Sequence, residues 1–487
     1  MMDQQSREPW AEKIYLGEWV DGQRGIATVV EPATGDELAR IGVSGPSDVD
    51  AAVQSARLAQ RRWADTPFDK RAAVFYDAAR LIGERSKLFN YWNVRECGSI
   101  EPKASWELNA SREHLITAAS LPLQSNGMLF PSSVPGRVNA WHRIPVGIVG
   151  VITPWNFPLV LAIRTIAPAL ALGNAVILKP DPHSAVTGGA LVAQLFEDAG
   201  LPRGLLHVLP GGVEAGEALV QHPVVKMISF TGSTVVGRQI GEICGRMLKK
   251  TSLELGGNNP FIVLPDADVN KAASCGAWGA FLHQGQICMQ AGRHLVHRSV
   301  ADEYISKLAA RAGRLSVGNP AKGQVHLGPL INERQAARVE TIVRESVDIG
   351  AVLVTGGKRT GNFFEPTVLM EVTADMPAFT DELFGPVAPV TVYDSIDEAI
   401  ELVHASDYGL AAAIHSKSVS AAIALAKRLR CGMVHVNDQP VNTESQVPFG
   451  GMGASGNSSR FGGPANIEEF TTSQWISSVE TPSEYPF

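Results

Sequence analysis

From position 146 to 255, short apolar runs alternate with amphipathic stretches, and that alternation leaves few folds open. The runs at 146–152, 174–178, 205–209, 224–230 and 251–255 have strand length and an apolar body. Helical spacing fills the intervals at 159–172, 184–199, 214–221 and 234–244. Apolar strands separated by helices imply crossover connections and a parallel sheet covered on both faces. Right-handed crossovers then give a doubly wound α/β sheet, which binds ligands beyond the carboxyl ends of its strands. Three polar turns lie at those ends: Thr153-Pro-Trp-Asn156, Lys179-Pro-Asp-Pro182 and Thr231-Gly-Ser-Thr234.

The flanks are different. Residues 15–22 read as a hairpin turning at Asp21-Gly22. From 47 to 86 the apolar positions Val49, Ala52, Val53, Ala56 and Ala59 recur at helical steps. Residues 134–144 have strand character but stand apart from the sheet pattern. After Gly256-Gly257-Asn258-Asn259-Pro260 a second α/β region runs to Val436, and the polar tail 468–487 holds a strand candidate at 470–479. That strand is long enough to pair with another element or another subunit.

A chain of 487 residues has room for two or three domains. A net charge of -7 without a basic stripe argues against nucleic acid. The start lacks the basic and apolar regions of a secretory signal. The longest apolar run, 159–172, contains Arg164 and is too short to span a bilayer, so no membrane association is expected. Five scattered cysteines, none in a C-x-x-C pair, fit reduced thiols in the cytoplasm and argue against structural zinc.

Several residues carry possible chemistry, each with a plainer reading beside it. Cys288 follows Gly285, which breaks a helical pattern, and no acidic residue between Phe281 and Arg293 opposes a thiolate. An isolated cysteine is otherwise a small buried hydrophobe. Glu254 ends an apolar strand, either turned to solvent or held in a cleft as a base. Asn156, bracketed by Pro154 and Pro158, is either an oxyanion donor or an Asx turn. Ser233 opens a helix, as a pyrophosphate contact or a plain N-cap. Lys179 at a strand end reaches ribose hydroxyls or is merely solvated. Gly451-Met-Gly453-Ala-Ser-Gly456 matches the dinucleotide fingerprint by letter, but it lacks the strand before and the helix after, and reads as a flexible loop.

Pro154-Trp-Asn156-Phe-Pro158, Thr231-Gly-Ser-Thr234, Glu254-Leu-Gly-Gly257, Gly285-Gln-Ile-Cys288, Glu382-Leu-Phe384-Gly-Pro386 and Pro448-Phe-Gly-Gly451 occur in this order. With this series the chain resembles the aldehyde dehydrogenase superfamily over essentially its whole length. The resemblance implies Cys288 as nucleophile, Glu254 as general base and Asn156, with the Cys288 N–H, as oxyanion donor. It implies a cofactor site of Ile152, Trp155, Lys179, Gly232, Ser233, Gly237, Leu255, Glu382 and Phe384. It also implies three parts: a dinucleotide-binding domain at 1–123 and 146–257, a catalytic domain at 258–467, and an oligomerisation segment at 124–145 and 468–487 that builds a homodimer or homotetramer. No metal takes part.

Two departures qualify that likeness. Where the family often has a carboxylate three residues after the ribose lysine stands Pro182, with Asp181 beside it. NAD is the expected cofactor, with NADP not excluded. Arg460-Phe461 replaces the usual Arg-Glu, and together with Lys-Pro-Asp-Pro it resembles the bacterial aromatic-aldehyde branch. Phe157, Val160, Leu161, Ile287, Met289 and Phe449 match positions lining the family's aldehyde tunnel. A charge-free pocket of this kind suits benzaldehyde or a methyl-substituted benzaldehyde. Arg164 lies near it with no assigned role. The alternatives are a broad-range aliphatic or vanillin-type enzyme, a CoA-acylating enzyme, against which Glu254 argues, and a non-catalytic structural descendant.

Overall fold

The structure, a computed structural model, describes residues 8–482 and 484–487. Most of the stretch read for a secretory signal, residues 1–7, lies outside the described residues, as does Ser483 in the tail.

Seven strands form the first sheet, in the order Lys250–Glu254, Met227–Thr231, Ile148–Ile152, Ala175–Lys179, Leu206–Val208, Ile14–Tyr15 and Trp19–Val20. The first five are parallel, and the last two add an antiparallel edge. The chain steps outward from Ile148–Ile152 through two strands, then crosses back to the other side of that strand for the remaining two. This reversal makes a switch point between Ile148–Ile152 and Met227–Thr231, where a doubly wound sheet opens a ligand crevice. Two of the three polar turns, 153–156 and 231–234, leave the sheet there.

Helix Pro158–Ala171 is buried along its whole length, packed between the sheet and helix Glu101–Ser120, and Arg164 is its one charged residue. Glu107 holds its start. One carboxylate oxygen accepts from the Leu159 and Val160 N–H groups at 2.8 and 3.1 Å, and the other accepts from Lys103 Nζ at 2.6 Å. A carboxylate here satisfies free helix donors and complements the helix dipole. The whole arrangement fixes Asn156 and Phe157 at the mouth of the crevice.

A second seven-stranded sheet has the order Val352–Thr355, Thr367–Met370, Val387–Tyr393, Ala291–His297, Asn259–Val263, Ala411–His415 and Met433–Val436. It is parallel apart from Val352–Thr355 and carries an apolar core on each face. Separately, Gly127–Phe130, Val138–Pro145 and Thr471–Ser478 form a three-stranded antiparallel sheet. The tail strand pairs residue for residue with Val138–Pro145, from Thr471 opposite Pro145 to Ser478 opposite Val138. Among the described residues no helix is long and apolar enough to cross a membrane.

Three local expectations change. The hairpin pairs Ile14–Tyr15 with Trp19–Val20, so its turn is Leu16-Gly17-Glu18 and not Asp21-Gly22. Gly17, at φ +85°, supplies the left-handed residue. The helical pattern of 47–86 is broken at Asp65-Thr66-Pro67 into Pro46–Ala64 and Phe68–Glu84. Two further helices, Ser86–Cys97 and Glu101–Ser120, follow. The loop 451–456 is not loose: Leu255 N–H donates to the Ser455 carbonyl at 3.0 Å, and Met452–Gly453 pairs with Tyr408–Gly409.

Candidate active site

Helix Val269–Phe281 stops short of Cys288, and three successive left-handed residues turn the chain: His283, Gln284 and Gly285, at φ 49°, 57° and 70°. Two of them carry side chains, so the turn is strained and must be held by its surroundings. Buried amides do this. Gln284 donates to the Gly98 and Pro329 carbonyls, Gln290 to the Ala280 and Gly385 carbonyls, and Gln286 accepts from the Ile331 N–H. Asn259 clamps the far side, donating to the Cys288 carbonyl at 2.8 Å and the Gln290 carbonyl at 2.7 Å. The Cys288 N–H donates to no group among the described residues, which leaves it free for an oxyanion.

Asn156 makes no Asx turn. Its amide donates to the Gln286 carbonyl at 2.9 Å, which ties the crevice turn to the Cys288 loop. An amide has two N–H donors, so one remains. Glu254 sits at the end of Lys250–Glu254, fully buried, with Oε1 unpartnered. Burial pushes its carboxyl up to about 8, opposed by Arg164, Arg460 and the Gly451 N–H. Gly450 makes room for it: a Cβ there would lie 2.7 Å from Oε1. The supposed dinucleotide fingerprint is therefore preceded by the cradle of the buried carboxylate.

The thiol differs from the expectation. Burial pushes Cys288 up to about 12, and Glu254 and Glu382 add to this, opposed by Arg164 and the Met289 N–H. The local stretch has no acid, but the fold brings two from elsewhere. Phe157, Val160, Leu161, Ile287, Met289 and Phe449 pack in one apolar cluster with Cys288 at its edge, joined by Leu410 and Ala411, which the sequence reading missed. Two cations stand against this cluster, and Lys103 is itself paired with Glu107 at 2.6 Å. Lys103 Nζ lies 4.4 Å from the Phe157 ring centre, and the Arg164 guanidinium 4.7 Å from that of Phe449.

The crevice fits a dinucleotide on its own chemistry. Ser233 caps helix Thr234–Arg246 only loosely, its hydroxyl 3.5 Å from the Val236 nitrogen, so the first-turn donors are open to an anion. Exposed Val213, Val235 and Val236, on the first turns of two adjacent helices, offer the apolar wall an adenine needs. Lys179 stands at the end of its strand, its Nζ 3.3 Å from the Pro180 carbonyl. Burial lowers its pKa. Gly232 N–H donates to the Glu254 carbonyl at 3.0 Å. Ile152 ends its strand beside these groups, and Trp155 meets Phe384 edge to face at 5.6 Å. Gly237 is buried against Leu255, where a Cβ would come within 2.3 Å, so these two set helix packing. Glu382 is folded inward, accepting from the Gly257 N–H at 2.9 Å, and burial pushes it up to about 7. Asp181 turns to His183, accepting from its backbone N–H at 2.9 Å and meeting its ring nitrogen at 2.8 Å.

A switch-point crevice with a half-buried thiol, a buried carboxyl and an amide that keeps one N–H free defines the class. The chain belongs to the aldehyde dehydrogenase family, whose model matches residues 19–476. Within it, the chain is similar to the benzaldehyde dehydrogenase [NAD(+)] of Pseudomonas putida, at 58% identity over all of both chains. A vanillin dehydrogenase of an Amycolatopsis species is 49% identical over 99% of each chain. The solved betaine aldehyde dehydrogenase of Staphylococcus aureus in complex with NAD+ superposes with a TM-score of 0.94, at 29% identity, covering 98% of this chain and 96% of that one.

Proposed function

We propose that this chain oxidises an aromatic aldehyde, benzaldehyde or a methyl-substituted benzaldehyde, to the carboxylic acid with NAD. One observation carries the reading: the nucleophile candidate sits at the edge of a cluster built from aromatic and aliphatic side chains, the surface a flat apolar ring would pack on. The 58% identity to a benzaldehyde dehydrogenase agrees with it.

Cys288, once deprotonated, attacks the aldehyde carbon and forms a C–S bond. The carbonyl electron pair moves to oxygen, where the second Asn156 N–H and the Cys288 N–H hold the alkoxide. Bound NAD supplies the acceptor for the hydride that leaves this carbon. A thioester on Cys288 remains. Glu254, ionised, takes a proton from water, the hydroxide adds to the thioester carbon, and the C–S bond breaks to release the acid and the thiolate. Gly232, Ser233 and Lys179 would hold the pyrophosphate and the adenosine ribose, while Ile152, Trp155, Glu382 and Phe384 would line the nicotinamide end.

The domains follow the same reading: 1–123 with 146–257 for the cofactor, 258–467 for the thiol, and 124–145 with 468–487 for assembly. Five cysteines, all free, suit a cytoplasmic location.

Two results test this. Reduced cofactor followed at 340 nm should form with benzaldehyde at a kcat/KM at least about tenfold that with hexanal, about 1.4 kcal/mol of transition-state preference. Hexanal equal or better sinks the aromatic reading. With Asp181 committed to His183 and Pro182 carrying no carboxylate, NADP is expected to support measurable turnover; none at all would mean another group rejects the 2′-phosphate.

For assembly, Thr471–Ser478 is an edge strand with Trp475 and Ile476 exposed, and Leu129 on the opposite edge strand is 74% exposed. An open apolar edge of this kind invites pairing with a second copy. The double change Trp475→Lys with Ile476→Lys should reduce the light-scattering mass to that of one chain. An unchanged oligomer mass would place the interface elsewhere.

A further inference from the structure

Arg164 is the charged residue that the mechanism above leaves without work. It sits on the buried helix Pro158–Ala171, four residues before Pro168, which has no N–H to offer the Arg164 carbonyl. The side chain is 6% exposed. It forms no ion pair and donates no hydrogen bond among the described residues, and its Nε is buried without a partner. Buried arginines ordinarily meet a carboxylate, because an unpaired buried charge is costly. Here the guanidinium lies over two aromatic rings instead, 4.7 Å from the centre of Phe449 and 4.9 Å from that of Phe461. These two residues are themselves bonded across a single bridge, with N–H to carbonyl distances of 2.7 and 2.9 Å. The rings hold the cation in place without neutralising it.

The groups facing Arg164 explain why a charge is kept there. Phe449, beneath the guanidinium, packs in the same cluster as Cys288, and the next residue, Gly450, cradles Glu254 Oε1, so the charges that reach Arg164 are those of Glu254, Cys288 and, on helix Glu101–Ser120, His114. His114 is held neutral by burial, reinforced by Arg164 itself. The other charges on the two acids come from different sides. Glu382 faces Cys288, while Arg460 and Glu469 face Glu254. Arg460 already donates to the Gly451 and Ser459 carbonyls, at 2.9 and 2.8 Å, and does not reach the thiol.

We propose that Arg164 is the resident countercharge of the site, a positioning residue that makes the Cys288 thiolate and the Glu254 carboxylate accessible within an apolar pocket. It serves the two anions in turn, the sulphur before attack and the carboxylate before hydrolysis. Each ionisation releases one proton to solvent water and leaves an anion beside a cation already in place. The inference rests on the reading of Cys288 as nucleophile and Glu254 as base.

The test reads the thiol without aldehyde or cofactor. The full-length protein is alkylated with iodoacetamide, a neutral reagent, across a pH series, and the peptide containing Cys288 is quantified by mass. Removing the charge in R164M or R164Q is expected to slow Cys288 alkylation at least about tenfold at fixed pH, equivalent to moving the profile up by about one pH unit. R164K should stay close to the native profile, and R460M should coincide with it. Either neutral variant suffices if the other does not fold. Turnover should show the charge loss in kcat more than in KM. Coincident native and neutral-variant profiles would overturn the proposal, as would R164K shifted as far as R164M, since packing and not charge would then be at work. Loss of the proposed activity reading would show differently, as aldehyde oxidation surviving without Cys288.

Discussion

Replacing Cys288 with serine is expected to abolish aldehyde oxidation, lowering kcat by at least about 10⁴-fold, the scale seen when a covalent nucleophile is removed. The change is nearly isosteric, so the apolar cluster that packs against Cys288 should be undisturbed. The chemistry changes sharply. A hydroxyl is a far weaker acid than a thiol, and burial already opposes the anion at this position, pushing even the thiol up to about 12. Neither Arg164 nor the Met289 N–H can make an alkoxide accessible there. Cofactor binding should persist, because most of its candidate groups come from the ends of Ile148–Ile152, Ala175–Lys179 and Met227–Thr231 and the turns after them. The measurement pairs reduced-cofactor formation with benzaldehyde and direct titration of NAD binding. Retained binding with lost turnover supports the assignment; turnover above about one per cent of native would place the nucleophile elsewhere.

What could be read before the structure, and what could not, divides by range. The doubly wound sheet was legible because each strand declares itself over five or so residues, and the connecting helices carry their own spacing. The polar turns at the strand ends were legible for the same reason, since Asn156, Lys179 and Ser233 sit where apolar runs end. Family likeness supplied the roles, which local pattern left open. Long-range polar contacts leave no periodic trace. Nothing near Asn259 indicates that its amide holds the Cys288 carbonyl, and nothing near Glu107 indicates that it caps the helix beginning at Pro158. The surroundings of the thiol were hidden for a related reason: burial, and after it Glu254 and Glu382, oppose the anion through space, while the stretch along the chain holds no acid. One signal was available and unused. Three glutamines around a lone cysteine, Gln284, Gln286 and Gln290, are more amides than an apolar segment can bury without backbone partners.

Glu254→Gln separates the two halves of the reaction. Glutamine keeps the shape and removes the base, so steady-state kcat should fall about 10²- to 10⁴-fold. Acylation does not need water activated, so rapid mixing should still give one equivalent of reduced cofactor per active site before the rate collapses. Native enzyme supplies the complementary pH result. Burial pushes the Glu254 carboxyl up to about 8, and only its ionised form can take a proton from water. Where hydrolysis limits turnover, kcat therefore rises as pH climbs through about 8 and falls about tenfold for each unit below it. That limb should vanish in E254Q. If it persists with its midpoint near 7, Glu382 is the titrating group, since burial brings that carboxyl to about 7. A missing burst would mean that Glu254 also accepts the proton of Cys288. The acylation limb, read from kcat/KM in the free enzyme, would then move as well. Losing the glutamate's negative charge lowers the cost of the thiolate, so Cys288 in E254Q should alkylate at lower pH than in native enzyme, opposite in sign to the loss of Arg164.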